Sequence, residues 1–226
     1  MNKRKSIIFS ILSVLVIIAV FFSGCEEVNN GDTDVKIFVE NSYYDGFIAR
    51  EESQVQGIIV SEDNMPMKVG LFSSTDYSSD ELNYLSRGIL RFDISDWDNT
   101  DITFWIKCIN VQGTPAPLEA YFMDDPEALP NFDQLQDITS IWSLTDSSVK
   151  FMGEAYPIEN QWVNITLEKT QVKLIIDEKY SRNEYMTIML KLFFDFTLDE
   201  YGNYFELATV DYTPNDDSDQ PYIEFN

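Results

Sequence analysis

The segment Ile102–Cys108 reads ITFWIKC and alternates between two kinds of side chain. Its first, third, fifth and seventh side chains are apolar, whereas Thr103, Trp105 and Lys107 lie between them. Successive side chains of a β-strand point to opposite faces of the sheet. The pattern therefore predicts a strand with one face in a hydrophobic core and the other face toward solvent.

The same two-residue period recurs along the chain from Val35 onward. Segments 186–194 and 162–167 place apolar residues at alternate positions, and no long stretch has the spacing of an amphipathic helix. Short strands separated by turn residues predict an all-β fold, a jelly-roll β-sandwich of antiparallel strands. The predicted strands are 35–40, 46–50, 55–60, 68–72, 88–94, 102–111, 118–123, 149–153, 162–168, 186–196, 205–212 and 222–225.

One or two short helices accompany the predicted strands. Residues 172–179 carry apolar side chains at helical spacing, and Thr170 precedes them as a predicted N-cap. Residues 133–138, which follow Pro130, are predicted to form a single helical turn. The stretch 73–86 is rich in acidic residues and serine and is predicted to be a loop.

The composition excludes several classes of function. The 226 residues carry a net charge of -24, which repels nucleic acid and anionic lipid headgroups. The chain contains no histidine, so histidine-based catalytic triads and metal sites are excluded. Its 14% aromatic content is typical of a folded domain and not of a disordered chain.

The N-terminus has the pattern of an export signal. Residues 3–5 are basic, residues 7–22 are almost entirely apolar, and Ser23-Gly24-Cys25 follows. This arrangement resembles the lipobox of prokaryotic lipoproteins, in which the cysteine thiol receives a diacylglycerol after cleavage. The resemblance implies a signal peptide at 1–24, a lipid anchor on Cys25, a tether at 25–36 and an extracytoplasmic location at the cell surface. The alternative is an uncleaved membrane helix, and on the lipoprotein interpretation Cys108 is a free, buried thiol.

Several blocks in the body of the chain, considered together, are similar to the DNRLRE domain, a jelly-roll sandwich also classed among carbohydrate-binding modules. The resemblance covers residues 37–226 and implies glycan binding at a cell surface. The penultimate strand and the serine-rich stretch 73–86 depart from the family pattern. The blocks that carry the resemblance are DGFIAR at 45–50, Val69-Gly70, RGILRFDIS at 87–95, Trp142, WVNITL at 162–167 and PYIEF at 221–225.

Outward aromatic and basic side chains are the candidate glycan ligands. Trp105 and Trp162 occupy the non-core phase of their strands, where a ring can stack on a sugar. Arg87, Arg91 and Lys107 lie on segments that the resemblance places in the sheets. Two structural alternatives stand beside this hypothesis, namely that loops cover the rings and that neighbouring acids such as Asp93 pair with the arginines. The net negative charge favours a neutral glycan, or one bridged by a divalent ion.

A calcium site and a glycosylation site are also predicted in the domain. Asp216, Asp217 and Asp219 have the oxygen donors of a Ca²⁺ site, although they lack the EF-hand spacing and can equally form a polar turn. Asn164 begins the sequon Asn-Ile-Thr and is a predicted glycosylation site.

Three functions are compatible with the sequence. The first is a non-catalytic, surface-anchored module that binds a polysaccharide or cell-envelope glycan. The second is a structural or adhesive envelope lipoprotein without a glycan ligand. The third is a polysaccharide lyase or hydrolase, which is disfavoured because no pair of carboxylates can be placed across a cleft. The protein is therefore expected not to be an enzyme.

Overall fold

The computed structural model describes most of the chain from Val35 onward, within the compact unit Val35–Asn226. The described residues are 35–39, 45–51, 57–60, 65–74, 82–123, 142–143, 145–146, 149–179, 185–193, 202–210, 212 and 219–226. They include twelve strands and the α-helix Lys169–Lys179, residues 142–143 and 145–146 are also helical, and every strand pairing among them is antiparallel. The predicted all-β class is confirmed, and each of the twelve predicted strands has a counterpart.

The strands are numbered in chain order. They are β1 (Val35–Phe38), β2 (Asp45–Glu51), β3 (Gly57–Val60), β4 (Met67–Ser74), β5 (Leu82–Asp93), β6 (Ile102–Gln112), β7 (Leu118–Met123), β8 (Val149–Ala155), β9 (Trp162–Leu167), β10 (Tyr185–Leu192), β11 (Asn203–Leu207) and β12 (Tyr222–Phe225). The helix α1 (Lys169–Lys179) lies between β9 and β10. Strand β1 begins two residues before the predicted domain boundary at 37.

Strand β6 is shared by two groups of strands. Its first part, Ile102–Lys107, pairs with β9 on one edge, and Ile102–Trp105 pairs with β12 on the other. From Cys108 onward the strand pairs with β11. The register with β11 shifts between Glu206 and Leu207, so Ile109 is an extra residue on β6. Such a bulge bends a strand and increases its twist, which allows β6 to pass from one sheet to the next.

The two groups of strands have a definite order. The first sheet runs β1-β12-β6-β9, and the second runs β6-β11-β4-β5-β10-β7-β8. Strand β5 changes partner along one edge, because its first half pairs with β4 and its second half with β10. The opposite edge of β5 pairs with β2, which in turn pairs with β3.

The main core forms where the predicted apolar faces meet. The apolar side chains of the β6 segment ITFWIKC are all buried, with exposures of 0–1%. They share one cluster with the alternating residues of β9 and with Met186, Ile188, Leu190 and Leu192 of β10. Each fully buried side chain of this size stabilises the fold by about 1.5–3 kcal/mol. Phe194, which was predicted to extend the β10 face, lies outside the described residues.

A second, smaller cluster lies on the opposite face of β5 and β10. The expectation of a solvent-facing side is wrong for these two strands, because the segment that carries Trp142 packs over them. The members of the cluster are Ile48, Leu71, Leu85, Ile89, Met123, Trp142 and Met189. Strand β5 is consequently buried continuously from Tyr84 to Leu90, and the prediction of a loop at 73–86 is wrong at both of its ends.

Helix α1 begins one residue before the predicted cap. The side chain of Gln171 accepts a hydrogen bond from the Glu168 N–H at 3.3 Å, and Asp101 Oδ1 accepts one from the Lys169 N–H at 2.7 Å. These bonds satisfy free N–H groups of the first turn, so Thr170 is not the N-cap. Val172 anchors the helix in the main core. The single turn predicted at 133–138 lies outside the described residues.

Gly70 is required where β4 meets β11. Its φ of +131° is a conformation that residues with a side chain rarely adopt. A Cβ built there would lie 2.5 Å from the Asn203 carbonyl oxygen and 2.9 Å from the Tyr204 Cα, both of them backbone atoms. By contrast, Gly202 also has a positive φ of +86°, but a Cβ there would meet nothing within 4 Å.

This difference predicts unequal effects of two alanine substitutions. Gly70→Ala adds a backbone clash to the conformational strain and should lower the free energy of unfolding by about 2–5 kcal/mol. Gly202→Ala introduces the strain alone and should cost about 1–2 kcal/mol. Urea unfolding followed by circular dichroism measures both values. Equal losses in the two variants would contradict the packing described for β4 and β11.

Candidate functional site

The outward face of the first sheet brings four aromatic side chains together. The register sets Phe38 of β1 opposite Tyr222 of β12, and Tyr222 opposite Trp105 of β6. On the next row, Trp162 of β9 lies opposite Lys107 of β6. Because directly opposed residues point to the same side of a sheet, these side chains share the face away from the core. We call Phe38, Trp105, Trp162 and Tyr222 the outer aromatic cluster.

Tyr222 is the centre of the outer aromatic cluster. Its ring centroid lies 6.1 Å from that of Trp105, with the two planes 16° apart. Trp162 approaches at 5.3 Å with an interplanar angle of 64°, and Phe38 lies at 5.7 Å. Tyr222 is 7% exposed, Phe38 is 41% exposed, and both tryptophans are half-buried. The tryptophan rings are therefore packed from one side and are not fully covered.

Charged groups surround the rings. Lys36 Nζ lies 4.2 Å from the Tyr222 ring centroid and 3.8 Å from Glu224 Oε1, while Glu224 Oε2 accepts a hydrogen bond from Trp105 Nε1 at 2.8 Å. On the other side, Lys107 Nζ lies 5.7 Å from the Trp162 centroid and 3.8 Å from Asp219 Oδ1. Sugar sites commonly combine apolar ring surface with fixed donors and acceptors in this way.

The five predicted glycan-binding residues do not form one site. Trp105, Trp162 and Lys107 meet at the outer aromatic cluster, whereas Arg87 and Arg91 lie on β5 in the second sheet. Arg91 extends over the Tyr185 ring, 4.2 Å from its centroid.

Arg87 is an internal residue that fastens a covering segment to β5. It is 3% exposed, and its Nη1 donates to Thr145 Oγ1 and, at 2.7 Å, to Asp146 Oδ1. Thr145 Oγ1 donates in turn to the Trp142 carbonyl. The ion-pairing alternative therefore holds for Arg87, although its partner is Asp146 and not Asp93. The Asp93 carboxylate instead accepts the Ser95 N–H at 2.8 Å.

The signal for the central residue of the cluster lay in β12. Tyr222 and Glu224 flank Ile223, which is fully buried in the main core. Alternation within this four-residue strand would have placed both residues outward beside Trp105. Alternation in so short a strand does not by itself identify a site, because the neighbours of β12 in the sheet cannot be deduced from the sequence.

Of the predicted calcium and glycosylation residues, Asp219 and Asn164 lie near the same face. Asp219 is buried and faces Lys107, while Asp216 and Asp217 lie outside the described residues. Within the described ranges, no three potential metal-ligating residues come together. Asn164 is exposed and lies opposite Trp105 in the sheet register.

Cys108 is a buried, free thiol, as predicted. Burial raises its pKa from the usual value to about 12, and the carboxylates of Glu159 and Glu206 add to the increase. The backbone of Asn110 acts in the opposite direction. The thiol is consequently protonated at neutral pH and is not a nucleophile.

No known protein-family model matches the chain, and no curated protein matches it. Along the described part of the chain, no helix is both long enough and apolar enough to cross a membrane.

The raised pKa of Cys108 predicts slow alkylation of the thiol and a loss of unfolding free energy at alkaline pH. At pH 8, iodoacetamide should modify Cys108 at least about 100-fold more slowly in the folded chain than in urea, as peptide mass spectrometry would measure. In the unfolded chain the thiol ionises near pH 8.5, whereas the folded chain keeps its proton until about pH 12.

The contribution of this thiol to stability should therefore be complete below about pH 8.5 and lost as the pH approaches 12. The alkaline loss of unfolding free energy should be smaller in Cys108→Ala than in the wild type. Rapid alkylation of the folded wild type would contradict the buried position of the thiol.

Proposed function

We propose that this protein is a surface-anchored lipoprotein whose β domain binds carbohydrate without catalysis. The observation that carries the proposal is the outer aromatic cluster, in which two half-buried tryptophans lie on adjacent strands beside fixed charged groups. Four neighbouring strands present this surface, so its geometry is set by backbone pairing and not by a loop. A rigid platform of this kind suits a ligand that offers a flat C–H face.

A neutral glycan fits this surface best. A pyranose ring stacked on Trp162 or Trp105 would remove apolar area from water on both partners. Glu224 would accept a hydroxyl hydrogen bond, and the exposed Asn164 amide offers both a donor and an acceptor. A long polyanion is disfavoured, because the net charge of -24 opposes its approach.

Binding without catalysis is proposed from the contacts of the two acids beside the cluster, Glu224 and Asp219. Glu224 and Asp219 each lie in an ion pair, with Lys36 and Lys107 respectively. A glycosidase requires two carboxyl groups that face the scissile bond from opposite sides of a cleft. Each of these two acids is instead engaged by a neighbouring lysine on the outer face of the sheet. Hydrolysis or lyase chemistry is therefore not proposed.

Attachment to the cell surface rests on the N-terminal pattern. Residues 1–24 have the features of a lipoprotein signal peptide, and two acyl chains on Cys25 would provide stable anchoring. The acidic segment 25–36 would act as the tether between the lipid and the domain at 37–226. The resemblance to the DNRLRE domain, its jelly-roll connectivity and the calcium at Asp216, Asp217 and Asp219 stay predictions.

One observation favours a structural role as the second candidate. Tyr222 is only 7% exposed, because Trp105, Trp162, Phe38 and Lys36 all pack against it. The same contacts would stabilise the first sheet even if no glycan were bound. A structural envelope lipoprotein would therefore keep these aromatic residues without using them in recognition.

A glycan array with the full chain in detergent separates the two candidates. Binding to neutral oligosaccharides is expected, and Trp162→Ala should weaken it by at least about 10-fold because an aromatic anchor is lost. Tyr156→Ala is the matched control, since Tyr156 is 72% exposed and lies outside the cluster. Circular dichroism verifies the fold of both variants. Absence of binding by the wild type at high concentration would refute carbohydrate recognition.

Lipidation is tested by metabolic labelling with an alkyne fatty acid in a bacterial host. The wild type should incorporate the label, and Cys25→Ser should lose it completely because the acceptor thiol is removed. Cys108→Ser removes the other cysteine of the chain and should keep the full label. Label that persists in Cys25→Ser, or is absent from the wild type, would disprove the anchor.

A further inference from the structure

A cleft of about 360 Å³ opens on the outer face of the second sheet. Its walls come from β2, β5, β7, β8 and β10 together with Trp142, Thr145 and Asp146, so it is separate from the outer aromatic cluster. The lining residues that matter here are Arg50, Arg87, Lys191, Tyr121, Trp142 and Asp146.

The cleft concentrates positive charge on an acidic protein. Three cationic side chains line it, against the single carboxylate of Asp146, in a chain with 39 acidic and 15 basic residues. Glu119 and Glu154 lie beside the cleft on the same face, since Glu119 is opposite both Lys191 and Glu154 in the register, and Glu119 accepts the Tyr121 hydroxyl at 2.8 Å. The residues that line the cleft therefore have a positive balance, and these two acids lie outside the lining.

Aromatic rings hold the three cations in place. Arg50 and Arg87 lie 4.8 and 4.4 Å from the Trp142 ring centroid, and Lys191 Nζ lies 4.9 Å from the Tyr121 centroid. Such cation–π contacts restrict the side chains before any ligand arrives. A preorganised cationic site loses less conformational entropy on binding than a mobile one.

The two arginines have different roles. Arg87 is fixed by Thr145 and Asp146, and it maintains the wall of the cleft. Arg50 is half-buried and, among the described residues, forms no ion pair. Its guanidinium carries a planar fork of N–H donors, a geometry that matches the two oxygens of a carboxylate or a phosphate.

We propose that this cleft binds a small ligand that carries one oxyanion, a carboxylate or a phosphate ester, on a body about the size of one sugar ring. The volume lies near the lower end of the range for small-molecule sites. At physiological ionic strength, charges more than about 8 Å away are largely screened, so the acidic surface does not cancel the local cations. This inference does not depend on glycan binding by the outer aromatic cluster.

A matched ligand series tests the chemistry of the cleft. Isothermal titration calorimetry and saturation-transfer NMR on the full chain would compare glucose, glucuronate and glucose 6-phosphate, which share a ring and differ in the anion. At least one anionic sugar should bind, glucose should bind at least about 10-fold more weakly, and added salt should reduce the affinity. The tighter of the two anionic sugars identifies the preferred oxyanion.

Substitutions locate the site. Arg50→Gln should weaken binding of the anionic sugar by about 10- to 100-fold, as expected for the loss of a charged hydrogen-bond partner. Lys68→Gln removes one positive charge from β4, outside the cleft, and should change the affinity by less than about 2-fold. If Arg50→Gln does not fold, Lys191→Gln replaces it, with an expected loss of at least about 5-fold.

Three results would overturn the inference. They are binding of glucose as strong as that of both anionic sugars, no binding of either anionic sugar, and unchanged affinity in a folded Arg50 or Lys191 variant. Trp162→Ala should keep its affinity for the anionic sugar. This variant therefore distinguishes failure of the cleft from failure of the outer aromatic cluster.

Discussion

The passage of strand β6 from one sheet to the other is the constraint on which the rest of the domain depends. Up to Lys107 the strand pairs with β12 and β9, and from Cys108 onward it pairs with β11, with the bulge at Ile109 directly after the change of partner. A continuous strand cannot serve two sheets unless it bends and twists, and an extra residue provides both. The apolar face of β6 remains in the main core along its first part. Its outward side chains therefore have fixed neighbours, and Trp105 meets Tyr222 as a consequence.

Alternation predicted the strands well, because it depends only on residues adjacent in sequence. It could not predict the second buried face of β5, since the segment that covers this face is distant in sequence. Arg87 illustrates the point, because its partner Asp146 lies 59 residues further along the chain. A strand buried on both faces loses its alternation, as the run from Leu85 to Leu90 does. The lack of alternation in this run was the available sequence signal, but the sequence of a loop also lacks alternation.

The candidate sites were predictable to different degrees for the same reason. The outward positions of Trp105, Lys107 and Trp162 were predicted from the alternation within their own strands. The cleft could not be predicted without the order of the strands in the sheet, because Arg50, Tyr121 and Lys191 come from three separate segments. The start of helix α1 shows that contacts between residues distant in sequence escape prediction, since the Lys169 N–H donates to Asp101, 68 residues away in sequence. Local preference identified a capping residue, and tertiary contact supplied a different one.

The charge distribution relates the two surfaces to each other. A uniformly acidic protein would repel every anion, but the aromatic rings hold cations at defined points, over Tyr222 and Trp162 in the first sheet and over Trp142 and Tyr121 in the second. In the first sheet each of these lysines faces a carboxylate, so the surface is close to neutral and suits hydroxyl groups. In the second sheet Arg50 has no such partner among the described residues. The pairing of each cation, more than the net charge of the chain, therefore sets which ligand chemistry each face can accept.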